Sequence, residues 1–414
     1  MSETSEVVKV VIVGAGQAGG EVAGELRKQG YPGAITLIGE EEQIPYKRPP
    51  LSKGFLSGAV TEESLYVSPR AKLDALQIEF LGNARVARID RARKLVVLAD
   101  GREQAYDKLA LTTGGRARLL PIAGADKPNV LPLRSIADVR QLQPRCVPGA
   151  RAVVIGGGFI GLETAAVMVK LGLTVTVLEG LPRVLARVTA PEVSAFFERV
   201  HREAGVDLRT GAQISHFEGS DDAVHEVVLA DGTRIATDFV IVGIGVVANT
   251  ELAAEAGLVI DNGIAVDEFA RTSDPDIVAA GDCTSHPSNF AGRRIRLESV
   301  QNAMEQGRIA ARSILGKGEA YQNVPWFWSD QYDCKLQMVG LSGGYEQLVL
   351  RGDPATQRNF AAFYLKDGKL IAADTVTRPG EFMLAKKWVA EGAVLDPAQL
   401  ADESLPLKNL VPAA

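Results

Sequence analysis

Residues 9–20 read K-V-V-I-V-G-A-G-Q-A-G-G, and this stretch decides the fold. Val10, Val11, Ile12 and Val13 form an unbroken apolar run, as expected of a parallel strand covered on both faces. Gly14, Gly16 and Gly19 follow in G-x-G-x-x-G spacing, with Ala15 between the first two. The first glycine permits a tight turn, the second lets a pyrophosphate reach the backbone, and the third allows a helix to pack closely on the strand. The free N–H groups of the helix start then face the anion. A helix over 18–29 would end at Gly30, and a second strand over 34–38 leads to Glu40, a carboxylate suited to ribose hydroxyls. Glycine turns are common, but strand, helix, second strand and terminal acid in that order predict a dinucleotide site.

From Ala152 the pattern returns. Val153, Val154 and Ile155 form the strand, and G-G-G-F-I-G-L-E follows, with Gly156, Gly158 and Gly161 in the three glycine roles and Phe159 and Ile160 between them. A helix to about Leu171, a stop at Gly172 and a strand over 174–178 lead to Glu179. Two such units in one chain amount to a duplicated binding module rather than a short-period repeat. The sequence therefore predicts two bound dinucleotides.

The remaining composition narrows the class. A length of 414 residues suits two or three domains, and 46% apolar with 23% charged residues is ordinary for a globular chain. A net charge of −6 argues against a general nucleic-acid binder. The polar start M-S-E-T-S-E and the lack of a long apolar run predict no secretory leader, no membrane span and a cytoplasmic setting. Cys146, Cys283 and Cys334 are odd in number and far apart, so they imply no disulfide framework. The four histidines, His201, His216, His225 and His286, lack ligand spacing, so no metal is expected.

Other stretches have local readings. In I-P-Y-K-R-P-P-L-S-K, residues 44–53, Pro49 and Pro50 predict an extended path without helix, flanked by the cations Arg48 and Lys53. Strands are expected at 96–98, 106–113 and 239–245, the last entering a turn at Gly245. A short apolar strand within 272–282 exposes Asp282, and 299–315 has a helical pattern with Ser299 or Glu298 as cap. The densest aromatic cluster is W-F-W-S-D-Q-Y, residues 326–332, and the remaining chain to Ala414 reads as a separate α+β domain.

Taken together, V-V-I-V-G-A-G-Q-A-G, R-P-P-L-S-K, V-I-G-G-G-F-I-G-L-E, T-S-D-P-D-I-V-A-A-G-D and W-F-W-S-D-Q-Y closely resemble the FAD-dependent, NADH-oxidising ferredoxin reductases over essentially the whole chain. One departure, L-T-T-G-G at 111–115 where relatives often have alanine before T-G, exchanges one small residue for another. The resemblance implies an α/β fold in a glutathione-reductase-like arrangement, with two Rossmann-like domains for FAD and NAD and a C-terminal α+β domain. It implies boundaries at 1–115 and 248–326 for a split FAD domain, 116–247 for the NAD domain and 327–414 for the last domain.

It also implies site roles. Asp282 holds the ribitol chain, Arg134 and Val86 contact FAD, and Val300 opens a helix aimed at the flavin, where a partial positive charge favours the reduced anion. Lys53 lies beside the flavin ring and pairs with Glu163, and Trp328 lies near the ring. NADH gives a hydride to the flavin, which returns electrons singly to a 2Fe–2S ferredoxin serving a haem-thiolate monooxygenase or a ring-hydroxylating dioxygenase. Glu179 favours NADH over NADPH, against Arg183 and Arg187, which stand close enough in sequence to bind a phosphate. Such ferredoxins are acidic, so a basic docking face is expected from Arg293, Arg294, Arg296, Arg308, Lys335, Lys386, Lys387 and Lys408. Three alternatives share the fold: a rubredoxin reductase, an NADH oxidase or peroxidase (disfavoured by the missing flavin-side thiol), and a redox sensor resembling apoptosis-inducing factor.

Overall fold

The computed structural model describes residues 8–410, so the acidic start 1–6 lies outside the described residues. The chain divides into two compact units. The first runs to Lys47 and continues through Glu62–Arg116 and Val247–Asn323. The second comprises Arg48–Thr61, Ala117–Val246 and Val324–Ala414.

In the first unit, strand Val10–Val13 is buried along its whole length and sits at the centre of a five-stranded sheet. Parallel neighbours Ile35–Ile38 and Ile78–Leu81 extend one side, and Lys108–Leu111 and Ile277–Ala279 the other. Helix Gln17–Lys28 turns Val22, Ala23 and Leu26 into the apolar core beside Val10 and Ile12. Each buried valine, leucine or isoleucine among them contributes roughly 2 kcal/mol. The helix ends where expected, at Gln29, with Gly30 in the left-handed region at φ +80°. Helix Val300–Ile314 packs against it, so closely that a Cβ on Gly307 would stand 2.9 Å from Cβ of Glu21. Its cap is Ser299, whose hydroxyl accepts from the Asn302 N–H.

The second unit contains a sheet of the same design. Arg151–Ile155 is central, Thr174–Glu179 and Asp207–Thr210 lie on one side, and Phe239–Val242 and Val130–Pro132 on the other, all parallel. An antiparallel sheet follows in the order Trp326–Gln331, Cys334–Gly340, Lys369–Val376, Phe360–Lys366 and Gln347–Arg351. Helix Pro379–Glu391 covers it through Phe382, Ala385, Trp388 and Val389. The α/β class and the C-terminal α+β region thus stand as read from the sequence.

One local reading is corrected. Residues 49–52 are not extended: Pro49–Ser52 is a 3-10 turn. Its first two positions need no N–H donor, so the prolines fit there. The Leu51 and Lys53 N–H groups donate to the Arg48 and Pro50 carbonyls at 2.9 and 3.0 Å. The turn aims Ser52 and Lys53 together.

Candidate active site

The two glycine motifs share one steric pattern. A Cβ on Gly14 would stand 2.2 Å from the Thr112 carbonyl oxygen, and one on Gly156 would stand 2.4 Å from that of Gly243. Both residues sit at φ +108°, where only glycine is comfortable. A Cβ on Gly19 or Gly161 would stand 2.0 Å from the carbonyl oxygen of its own motif's first glycine. Gly16 and Gly158 differ from these, because nothing lies within 4 Å of their Cβ positions. Each is the N-cap of a twelve-residue helix whose first N–H groups receive no side-chain cap. Open space above uncapped amides is the cradle a pyrophosphate requires, so both motifs fit a dinucleotide. Ala15 lies against Gly39, and Phe159 and Ile160 form the start of the second helix.

The carboxylates at the ends of the second strands behave differently. Glu40 is exposed, with Arg85 as its nearest cation at 3.7 Å. Glu179 accepts from Gly157 N–H at 2.6 Å and Leu181 N–H at 2.7 Å, which fixes both oxygens at the glycine turn. Arg183, read as a possible phosphate ligand, donates instead to the Thr189 and Ala186 carbonyls and to Ser194 Oγ. Arg187 is exposed, with its guanidinium 3.8 Å from where a Cβ on Gly245 would stand. Gly245 itself has φ +106°.

The charged centre of the second unit is the Lys53–Glu163 pair. Lys53 Nζ lies 2.6 Å from Glu163 Oε2, and the carboxylate side chain is only 5% exposed. Ser52 Oγ donates to the same oxygen at 2.6 Å, and Ser329 Oγ donates to Oε1 at 2.6 Å. Ser329 belongs to the aromatic strand, where Trp328 is half-buried, with its ring centroid 5.5 Å from that of Trp326. Phe327, between them in sequence, lies 4.6 Å from Phe159. Arg48 donates to the Arg134 carbonyl at 2.5 Å, so those two cations are also brought together. Ser135 and Asp138 form a capping box behind Arg134 and fix its backbone.

In the first unit, Val86 is buried in an apolar cluster with Val11, Val13 and Leu111. Asp282 is half-buried just past strand Ile277–Ala279, and Val300 is the first residue of its helix. The cysteines are free. Burial pushes the Cys146 and Cys334 thiols up to about 11 and raises Cys283 as well, so none is a ready thiolate. Among the described residues no group of three or more His, Cys, Asp or Glu is placed to hold a metal ion. No described helix is long and apolar enough to cross a membrane.

Residues 8–307 match the family described as pyridine nucleotide-disulphide oxidoreductase, and residues 326–411 match the reductase C-terminal family. The chain belongs to the pyridine nucleotide-disulphide oxidoreductases. It is 48% identical to the putidaredoxin reductase CamA of Pseudomonas putida, over 98% of this chain and 97% of that one. It is 44% identical to the ferredoxin reductase subunit of a 5,5'-dehydrodivanillate O-demethylase from Sphingobium, over 97% of this chain and 98% of its relative. A crystal structure of a covalent putidaredoxin reductase–putidaredoxin complex superposes with TM-score 0.94 at 48% identity, covering 97% of each chain. As a family member this chain is an oxidoreductase working with FAD and a pyridine nucleotide, which agrees with its two cradles.

The sequence reading missed several residues of the site. Ser52, Ser329 and Gln331 lie inside the quoted motifs, whose patterns assign them no role, and the histidine spacing assigns none to His201. Ser52 was legible in principle beside Lys53. His201 was not, because only the tertiary structure brings it to Gln331.

Proposed function

We propose that this chain is an NADH-dependent, FAD-containing ferredoxin reductase that feeds a 2Fe–2S ferredoxin serving a haem-thiolate monooxygenase or a ring-hydroxylating dioxygenase. When bound, FAD accepts two electrons as a hydride from NADH and releases them one at a time. The observation that carries the reading is the pair formed by half-buried Lys53 and buried Glu163, in a chain whose thiols are all held protonated by burial. The cysteines thus offer no thiolate relay, and the bound FAD would itself supply the electrons to the acceptor.

In this reading residues 1–115 and 248–326 form the FAD domain, 116–247 the NAD domain and 327–414 the last domain. Gly14, Gly16 and Gly19 seat the FAD pyrophosphate, and Glu40, Asp282, Arg48 and Arg134 hold its polar parts. Gly156, Gly158 and Gly161 do the same for NADH, with Glu179 presented to the adenosine ribose. Lys53 supplies positive charge to the reduced cofactor, and Glu163 holds that lysine in reserve. Trp328 limits access to the ring.

A basic docking face agrees with several cations. Lys335 and Lys408 are exposed, while Lys386 lies 5.1 Å over the Trp326 ring. Arg293 is exposed, whereas Arg294 is tied to the Val266 carbonyl. Arg296 and Arg308 face Glu298 and Glu21, and Lys387 lies 4.0 Å from Glu391. The partly neutralised cations contribute less attraction than the open ones. The protein is assigned to the cytoplasm.

The test is NADH oxidation by the purified holoprotein with oxygen uptake recorded, with and without a 2Fe–2S ferredoxin coupled to cytochrome c. Strong ferredoxin-dependent stimulation that falls with added salt is expected. Fast oxygen uptake indifferent to ferredoxin would replace the reading with an oxidase.

A further inference from the structure

We propose that His201, Gln331 and Ser329 are positioning residues that fix the direction of hydrogen bonding at Glu163 and hold its carboxylate in place while Lys53 moves. The proposal rests on the proposed part of the Lys53–Glu163 pair in the reaction. The three residues are fully buried and form one line in the second unit. Ser329 Oγ lies 2.6 Å from Glu163 Oε1, Gln331 Nε2 lies 3.2 Å from Ser329 Oγ, and His201 Nε2 lies 3.0 Å from Gln331 Oε1. The Tyr332 hydroxyl closes the line at 3.2 Å from His201 Nδ1.

Every proton on this line is set from one end. An ionised carboxylate only accepts, so the single Ser329 hydroxyl proton points to Glu163. Ser329 Oγ must then accept from the Gln331 amide, which turns Gln331 Oε1 toward His201. His201 Nε2 therefore carries the ring proton, and bare Nδ1 accepts from Tyr332. Reversing any member turns the Ser329 proton away and leaves a buried carboxylate oxygen without a donor. Burial, against a weaker opposing hydrogen bond from Gln331, pushes His201 down to about 4, which keeps the ring neutral and preserves its one bare nitrogen.

Strand geometry makes the line possible. Ser329 and Gln331 alternate onto one face of Trp326–Gln331, and His201 lies in the last turn of helix Pro191–Glu203. Glu163 thus has hydroxyl donors on both oxygens that do not depend on Lys53: Ser52 on one and Ser329 on the other. Lys53 is the member that exchanges partners, and the line behind Ser329 fixes where the carboxylate waits for its return.

The test uses the oxidised holoprotein without any electron acceptor. Nitrogen-15 NMR of the histidine rings is expected to show His201 as a single neutral Nε2–H tautomer. In Glu163→Gln, where the side chain can donate as well as accept, that single tautomer is expected to be lost. In Gln331→Met, anaerobic stopped-flow reduction by NADH is expected to slow about tenfold while the NADH dissociation constant stays within about threefold, because geometry rather than binding is lost. Should Gln331→Met fail to fold, Ser329→Ala makes a smaller cut with the same expected split. An Nδ1–H tautomer in the parent, an unchanged tautomer in Glu163→Gln, or a reduction rate within about twofold of the parent in the folded variant overturns the proposal. None of these readouts involves ferredoxin, so failure of the ferredoxin reading leaves them separately decidable.

Discussion

The two glycine modules are alike in backbone and unlike in their use of the glutamate just past the motif. Glu21 and Glu163 stand at the same place, two residues beyond the third glycine of each motif. Glu21 meets the arginine Arg308 at 2.6 Å, and that cation is 41% exposed. Glu163 meets the lysine Lys53 at the same distance, but with two serine hydroxyls and almost no solvent. Arginine's planar fork suits a static tie between two helices. A lysine on a flexible stem, beside a carboxylate that keeps other donors, suits a contact that opens. One module therefore uses its glutamate to fasten a helix, and in the function proposed above the other uses it to hold a charge ready for the cofactor.

The sharpest way to separate the modules is to place a methyl in each cradle. Gly16 and Gly158 have φ of −91° and −83°, which alanine adopts freely, and their Cβ positions are open. Gly16→Ala and Gly158→Ala should each leave folding within about 1 kcal/mol of the parent. Gly16→Ala is expected to purify without flavin, read from the flavin-to-protein absorbance ratio. Gly158→Ala is expected to keep flavin and raise the NADH dissociation constant more than about tenfold. Flavin loss in both, or in neither, would mean the cradles are not divided as proposed.

The ion pairs give the next largest contrast. Lys53→Met leaves the Glu163 carboxylate buried without its cation, at a cost of about 3 kcal/mol. Arg308→Met removes a half-exposed partner and should cost less than about 1 kcal/mol. Urea midpoints for the two variants measure the difference directly, and equal losses would break the comparison.

This contrast also marks how far the sequence could be read. The glycine motifs, their strands and the terminal acids are local patterns, so both modules were legible residue by residue. The Lys53–Glu163 pair came only through resemblance, since nothing in the spacing joins a proline-rich segment to a distant helix. The turn at Pro49–Ser52 departs from the extended path that paired prolines suggest, because proline forbids helix interiors but not helix starts. The line from Ser329 to His201 could not be read at all. It depends on which strand face meets which helix end, and that is settled by packing.

A third comparison sets one buried histidine against another. His201 and His286 are both pushed down to about 4, chiefly by burial, and each is hydrogen-bonded to a glutamine. Their folded-state pKa values lie below the unfolded 6.5, so the folded protein binds fewer protons. The stability they support is full above about pH 6.5 and is lost as pH falls toward 4, by about 2 kcal/mol each near pH 5. Asp374 acts with the opposite sign, because burial raises it to about 7 and its ionisation costs stability as pH rises. The measurement is therefore a difference: urea stability of His201→Gln and of His286→Gln against the parent, from about pH 7 to about pH 5. Each variant should fall less steeply than the parent by about that amount. A slope changed in only one variant would locate the acid sensitivity in one unit.

The smallest effect concerns the acids at the strand ends, which differ by how firmly they are held. Glu40 is exposed and meets only a side chain, the equally exposed Arg85 at 3.7 Å, whereas Glu179 is clamped by two backbone N–H groups beside the glycine turn. A clamped carboxylate meets a 2′-phosphate at fixed range and cannot retreat from it. Glu179→Ala should raise NADPH turnover relative to NADH about tenfold, close to 1.4 kcal/mol of discrimination. Arg183 is occupied by the loop carbonyls, which leaves Arg187, beside Gly245, as the candidate cation for the vacancy. Adding Arg187→Ala to Glu179→Ala should therefore remove most of the gain, while Glu40→Ala should leave the nucleotide ratio untouched. If the double variant keeps the full gain, repulsion by Glu179 alone sets the preference and Arg187 takes no part in it.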